Sequence, residues 1–232
     1  MINQVMVKPV ENTALAAAAA SFLDVVSELH ASRRNVVTDL IGGAPFTQWD
    51  HYPPEDFHDP ATGALFFYHA HDPAERIDGE HGHFHCFVEQ SRIAPTSLPV
   101  FKPIRRNGTK ALCHLVAVSI DLNGLPTALF TTNQWVTDEW LYPAQVVISL
   151  IDAFRFPSSQ STSLVSRWLT ELVVLFRQQI AELLVQRDLT LRRDGKGASR
   201  KVRRRSIEVV SQIAIDVDAQ IAKIIGSSET CR

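Results

Sequence analysis

Five of the nine histidines fall within seventeen residues, and their spacing constrains the fold of that segment more than any other feature. Side chains two residues apart on a strand project from the same face. The segment YHAHDPAERIDGEHGHFH therefore predicts two rows of imidazoles: His69 and His71 in the first, and His81, His83 and His85 in the second. If the runs pair antiparallel with residue numbers that sum to 152, His69 faces His83 at a Cβ separation of about 4.5–5.5 Å.

Imidazoles crowded on one face of a small sheet are typical of a transition-metal site. Zinc–imidazole bonds are about 2.0–2.1 Å long, and an open coordination position can hold water. Without an ion, adjacent imidazoles would repel one another's protons and gain little. We therefore predict a mononuclear divalent metal site, iron or zinc, with the ligand set His69, His71, His83 and His85.

The positions of His81, His114 and Glu80 depend on strand alternation and on whether a strand contains a bulge. His81 and His114 are predicted as further ligands or as partners behind the ligands, although His114 also suits a buried core position beside Val116. By strand alternation Glu80 points away from the row. A bulge at Gly82 would reverse this direction and make Glu80 a ligand or the catalytic general base.

The charge of the segment supports a cation site, but other readings stay open. Between Asp50 and Glu80 there are eight acidic residues and one base, Arg76, a net charge of −7. A cation would be attracted to such a segment. Histidine-rich stretches also occur as solvated loops or hydrogen-bonded core residues. His51 and His58 fall in a proline-rich loop, and we expect them to have structural roles.

The chain as a whole predicts an α+β fold, with a small antiparallel sheet or partial barrel flanked by an N-terminal helix and a C-terminal helical hairpin. Residues 1–43 contain one long amphipathic helix, Thr13–Leu40, followed by two glycines. Residues 44–137 form the histidine-rich β domain. They begin with an aperiodic loop over 44–62, and Asn123-Gly124 closes a hairpin between runs 112–120 and 126–132.

Residues 138–232 predict a helical region that packs with the rest as one domain. Apolar residues recur at helical spacing from Trp168 to Leu184 and from Ile207 to Ile224, which predicts two long helices. A basic linker over 186–205 joins them, with nine Lys and Arg against two Asp. We interpret it as a solvated hairpin tip, so binding of nucleic acid or membrane there is not expected.

Candidate substrate contacts come from two places. The segment FTTNQWVTDEW collects polar and aromatic residues at a strand end, where Asn133 and Trp135 can line a pocket with Tyr68. The alternative is a turn whose tryptophans anchor the C-terminal helices.

The chain lacks the sequence motifs of several classes of enzyme. The chain contains no Gly-x-Ser-x-Gly, Gly-x-Gly-x-x-Gly, Walker-type or His-Glu-x-x-His sequence. Its three cysteines form no Cys-x-x-Cys pair, which indicates a reducing cytoplasm. We expect no secretory leader and no transmembrane run, and a net charge of −2 excludes wholesale polyanion binding.

The segments YHAH, EHGHFHCF and FTTNQWVT resemble a family of uncharacterised bacterial proteins that share such motifs. The resemblance covers about the middle half of the chain, from HYPPED to WVTDEW, and implies a bacterial protein without implying a known reaction. Similarity to metal-binding cupins is partial, because the spacing to the acidic residue and the downstream histidine differ.

These features together favour a multi-histidine metalloenzyme, an oxygenase or hydrolase acting on a small molecule. A non-catalytic metal or haem protein for sensing or storage is the main alternative. A third is a helical interaction protein that uses the basic segment 186–205. We expect a homo-oligomer, in which the C-terminal helices would dock onto a second copy of the chain.

Overall fold

The computed structural model describes residues 11–76, 79–104, 111–157, 163–192 and 201–229, and these form an α+β fold. One open antiparallel sheet of six strands runs in chain order, so each strand pairs with the one before it. Its strands are β1 (Tyr52–His58), β2 (Ala64–His69), β3 (Glu80–Glu89), β4 (Leu112–Asp121), β5 (Pro126–Thr132) and β6 (Val209–Ala214). The predicted fold class is confirmed.

Helices precede and follow the sheet. The described part of the chain contains α1 (Asn12–Ala31), α2 (Val36–Ile41), α3 (Gln134–Thr137), α4 (Ala144–Ile148), α5 (Leu164–Leu175), α6 (Arg177–Arg192) and α7 (Val217–Glu229). The single N-terminal helix predicted over 13–40 is wrong, because the chain breaks at Arg33, whose φ is +55°. Asn35 then starts α2 by accepting hydrogen bonds from the backbone of Val37 and Thr38.

The two faces of the sheet have different chemistry. The core face of β2 and β3 carries Phe66, Tyr68, Phe84 and Cys86, all fully buried. Phe84 packs against Trp168 of α5, so the main hydrophobic core lies between this face and the helices. We call the opposite side the imidazole face; on it lie Leu65, Phe67, His69, His83, His85 and Phe87.

Strand register follows the pattern expected from the sequence. His69 pairs with His83 and Ala64 with Val88, so residue numbers of β2 and β3 sum to 152. The hairpin of β4 and β5 forms around Gly124, which has φ +83°. The antiparallel pairing of the two strands and the β4–β5 hairpin are confirmed, and the sum of 152 is one of the even sums compatible with the predicted pairing.

Two strands lie where the sequence predicted other structure. β1 occupies part of the expected loop over 44–62, and its prolines are tolerated because it is an edge strand whose register is irregular between Tyr52 and Phe57. β6 replaces the first turns of the helix expected over 207–224. The three-residue spacing of its apolar positions fits a helix, but pairing with β5 satisfies its backbone instead.

Helix α1 is long and apolar enough to cross a bilayer by length and composition alone, contrary to the expectation of no such run. Its buried residues Phe22, Val25 and Leu29 belong to the main hydrophobic core. Phe22 also contacts Trp168 of α5. One face of this helix therefore packs on the main hydrophobic core.

Candidate metal centre

A bulge at the start of β3 decides which residues reach the imidazole face. The register between β3 and β4 shifts between Glu80 and Gly82. As a result Glu80 contacts His83, whereas His81 lies on the core face with its Nδ1 2.6 Å from the hydroxyl of Tyr68. The expectation that all five histidines share one face is therefore wrong for His81, and the bulge considered for Glu80 is present.

Gly82 is required at this bulge because its backbone lies against the neighbouring strand. A Cβ at this position would lie 2.5 Å from the carbonyl oxygen of His69 and 2.6 Å from the hydroxyl of Tyr68. We expect Gly82→Ala to lower the free energy of unfolding by about 2 kcal/mol, since the backbone must move to admit the methyl group. Urea unfolding of the variant measures this.

Gly226→Ala is the matched control, because a Cβ on this helical glycine of α7 would meet no atom within 4 Å. It should leave stability unchanged or raise it slightly, since alanine favours helix. Equal stability of the two variants would contradict the tight approach at Gly82.

Three imidazoles converge on the imidazole face. His69, His83 and His85 each offer one nitrogen, and these atoms lie within 4.8 Å of one another. The Nε2 atoms of His69 and His83 are 2.9 Å apart. Two imidazole ligands with bonds of about 2.0–2.1 Å at angles near 90–110° lie about 2.8–3.4 Å apart. The spacing of His69 and His83 therefore matches two ligands of one transition-metal ion, and with His85 they form a three-histidine group that could hold such an ion.

Two of the three imidazole rings are oriented by a contact to their Nδ1 nitrogen. The Nδ1 of His83 lies 2.8 Å from Oε1 of Glu80, and the Nδ1 of His85 lies 3.1 Å from Nε2 of His114. Metal-binding histidines commonly use their second nitrogen in this way, which leaves Nε2 for the ion. The other oxygen of Glu80 is buried without a hydrogen-bond partner among the described residues.

His114 reaches the imidazole face through a second irregularity. The register of β3 and β4 shifts again between Cys86 and Phe87, and His114 pairs with Phe87. Its ring consequently lies beside His85. The expectation that His114 shares a face with Val116 is wrong for this reason, because Val116 points into the main core.

Burial lowers the pKa values of His69, His85 and His114, which favours the uncharged form of imidazole that binds metal. Burial, and then repulsion from the neighbouring histidines 83, 71 and 51, lowers the pKa of His69 from 6.5 to about 2. Burial, followed by repulsion from His83, lowers the pKa of His85 well below 6.5. The pKa of His114 falls to about 3, mainly through burial and then through Arg187. Neutral imidazoles offer lone pairs without a proton to displace.

The three-histidine group opens onto a cavity of about 730 Å³ on the imidazole face. His69 and His85 line it directly, while His83 lies deeper and is only 5% exposed. Phe67 and Phe87 stack on each other in the cavity wall, and Trp140 lines it as well. A cavity of this size suits a small-molecule ligand.

Two residues of the cavity were not assigned a functional role from the sequence. His51 stacks on Phe67 with ring centroids 3.7 Å apart, and its Nδ1 lies 2.9 Å from Oδ1 of Asp56. Asp56 has φ +51° in the irregular part of β1. The sequence predicts a structural role for His51 in a proline-rich loop. Its place at the cavity could not be foreseen, because it depends on the irregular path of β1.

His71 lies beside the three-histidine group rather than within it. Its ring centroid is 5.0 Å from those of His69 and His83, and its Nδ1 is 3.9 Å from Glu208. Trp49, which is 53% exposed, stacks on it at 4.2 Å. His71 follows the end of β2, so strand alternation does not fix its direction, and its role as a ligand stays a prediction.

The three predicted substrate contacts are not among the residues that line the cavity. Tyr68 is fully buried on the core face. The side-chain amide of Asn133 donates to the carbonyl of Lys201, and the indole N–H of Trp135 donates to that of Ile207. These contacts match the alternative in which this segment anchors the C-terminal part of the chain.

The comparisons with known proteins identify the family but give no activity. Searches of curated proteins and of solved structures found no match. The family model that matches is described as a domain of unknown function (DUF6969) and covers residues 16–215. The chain therefore belongs to the DUF6969 family.

Proposed function

We propose that this protein is a metalloenzyme whose mononuclear centre holds iron or zinc through His69, His83 and His85. The observation that carries the proposal is the convergence of three imidazole nitrogens within 4.8 Å at the side of a cavity. Three imidazole ligands leave coordination positions free for water or a substrate atom. Bound iron would supply oxygen chemistry, and bound zinc would supply an acidified water.

The surrounding residues have separate roles in this proposal. Glu80 is a positioning residue that fixes the ring of His83 through Nδ1, and His114 does the same for His85. A direct catalytic role for Glu80 stays a prediction, because its contact is with a ligand ring. His71 is a candidate additional ligand, as its ring borders those of His69 and His83.

Elemental analysis of the full chain, purified without an affinity histidine tag, tests the proposal. We expect about one iron or zinc ion per chain, retained through dialysis. Several weakly held ions per chain would favour a storage protein instead. A chain that purifies without metal and also fails to take up added Fe²⁺, Zn²⁺ or Co²⁺ would overturn the proposal.

The other functional alternatives have less support. Residues 193–200 of the basic segment lie outside the described residues, so an interaction role for 186–205 rests on charge alone. Homo-oligomer formation stays a proposal. Cys86 and Cys113 are free and buried, which agrees with the proposed cytoplasmic location.

A further inference from the structure

The wall of the cavity contains a second apolar cluster that is separate from the main core. Leu65, Phe67 and Phe87 form this cluster, and Leu112 packs against it. Phe67, Phe87 and Leu112 line the cavity beside His69 and His85, and Trp140 lines it too. An aromatic wall beside a cavity stabilises an apolar body that fills the space, since its burial removes apolar surface from water.

The charged groups of the cavity lining differ in what they can offer a ligand. The carboxylate of Asp56 forms a hydrogen bond with Nδ1 of His51, and that of Asp138 accepts a hydrogen bond from the backbone N–H of Ile104. Glu139 accepts from the backbone N–H of His114. Burial also raises the pKa of Glu139 to about 8, against the influence of Arg187, so this carboxyl is largely uncharged at neutral pH.

Lys102 is the lining cation that can receive an anion. It is exposed, and its Nζ lies 5.8 Å from the ring centroid of Trp140, a cation–π distance that leaves its N–H groups available. Within the described ranges no carboxylate forms an ion pair with it. The buried Oγ1 of Thr137 has no hydrogen-bond partner among the described residues, and Thr137 lines the same cavity, so this atom can bind a further polar atom.

We infer that the cavity binds a small monocarboxylate with an aromatic or branched apolar body. Its carboxylate pairs with the ammonium of Lys102, and its apolar body packs on Phe67, Phe87 and Trp140 beside the three-histidine group. The inference rests on the proposed function for the role of this molecule as substrate. The binding site itself needs only the cavity.

Calorimetric titration with 3-phenylpropanoate, its neutral amide and 3-phenylpropylamine tests the inference on the full chain, with and without added Zn²⁺. We expect the carboxylate to bind at least about tenfold more tightly than the amide, because one charged hydrogen bond distinguishes them. The amine should not bind. Equal binding of all three compounds, or preference for the amine, would overturn the inference.

Lys102→Met should reduce the affinity for the carboxylate by about tenfold and leave that for the amide unchanged, while Lys102→Arg should restore it. Lys223→Met on α7 is the matched control and should bind like the unaltered chain. A carboxylate affinity that Lys102→Met leaves intact would contradict the assigned contact.

Carboxylate binding by a chain that holds no metal would reject the proposed function alone, whereas a metal-bound chain that favours the amine would reject the substrate class alone.

Discussion

Replacing His69 and His83 together by alanine should abolish metal binding while the protein stays folded. The two Nε2 atoms lie 2.9 Å apart, so the double variant removes two of three converging nitrogens. A single remaining imidazole holds a divalent ion only weakly, since affinity depends on several ligands acting together. Elemental analysis should therefore fall from about one ion per chain to none.

His30→Ala is the matched control for this experiment. His30 is an exposed histidine in the last turn of α1, so its loss should leave the metal content unchanged. Far-ultraviolet circular dichroism of both variants establishes that they are folded. A folded double variant with its full complement of metal would disprove the assigned ligands.

Acid should destabilise the metal-free protein strongly. The pKa values of His69, His85 and His114 are lowered in the folded state, so below pH 6.5 the unfolded chain binds more protons than the folded one. Stability therefore falls as pH falls through this range, and is fully present above it. Between pH 7.5 and 5.5 each histidine contributes a loss of about 1.4 kcal/mol, or about 4 kcal/mol for all three.

Urea unfolding at the two pH values, after removal of metal by a chelator, measures this loss. His114→Leu removes one of the three groups, so the variant should lose about 1.4 kcal/mol less than the unaltered chain over the same interval. A free energy of unfolding that stays constant from pH 7.5 to 5.5 would show that these rings are not held neutral by the fold.

Residues within one hairpin were predicted well because their placement depends on local periodicity. Alternation placed His69, His83 and His85 on one face, and the pairing of His69 with His83 followed from a single register. The fold class followed similarly from alternating strands and helical spacing. The long region matched by the family model agrees with a resemblance that was based on a few short motifs.

Bulges and long-range contacts limited the rest of the prediction. One extra residue in a strand reverses every later side chain, and register shifts in the β3–β4 pairing moved His81 away from the three-histidine group and His114 towards it. Nothing in local sequence places Lys102 or Trp140 at a cavity formed with β2 and β3. Strand β6 could not be predicted from the sequence either, because only its pairing with β5 distinguishes it from a short helix.

The short connection between β2 and β3 affects the order in which the three-histidine group can assemble. His69 and His83 are fourteen residues apart in the chain, so closing a short loop is enough to bring them together. The entropic cost of such a closure is lower than that of joining distant segments, by about 0.6 kcal/mol for each halving of the loop length. An ion held by the proposed three-histidine group would crosslink two consecutive strands, and all three of its ligands are synthesised before the C-terminal strand β6.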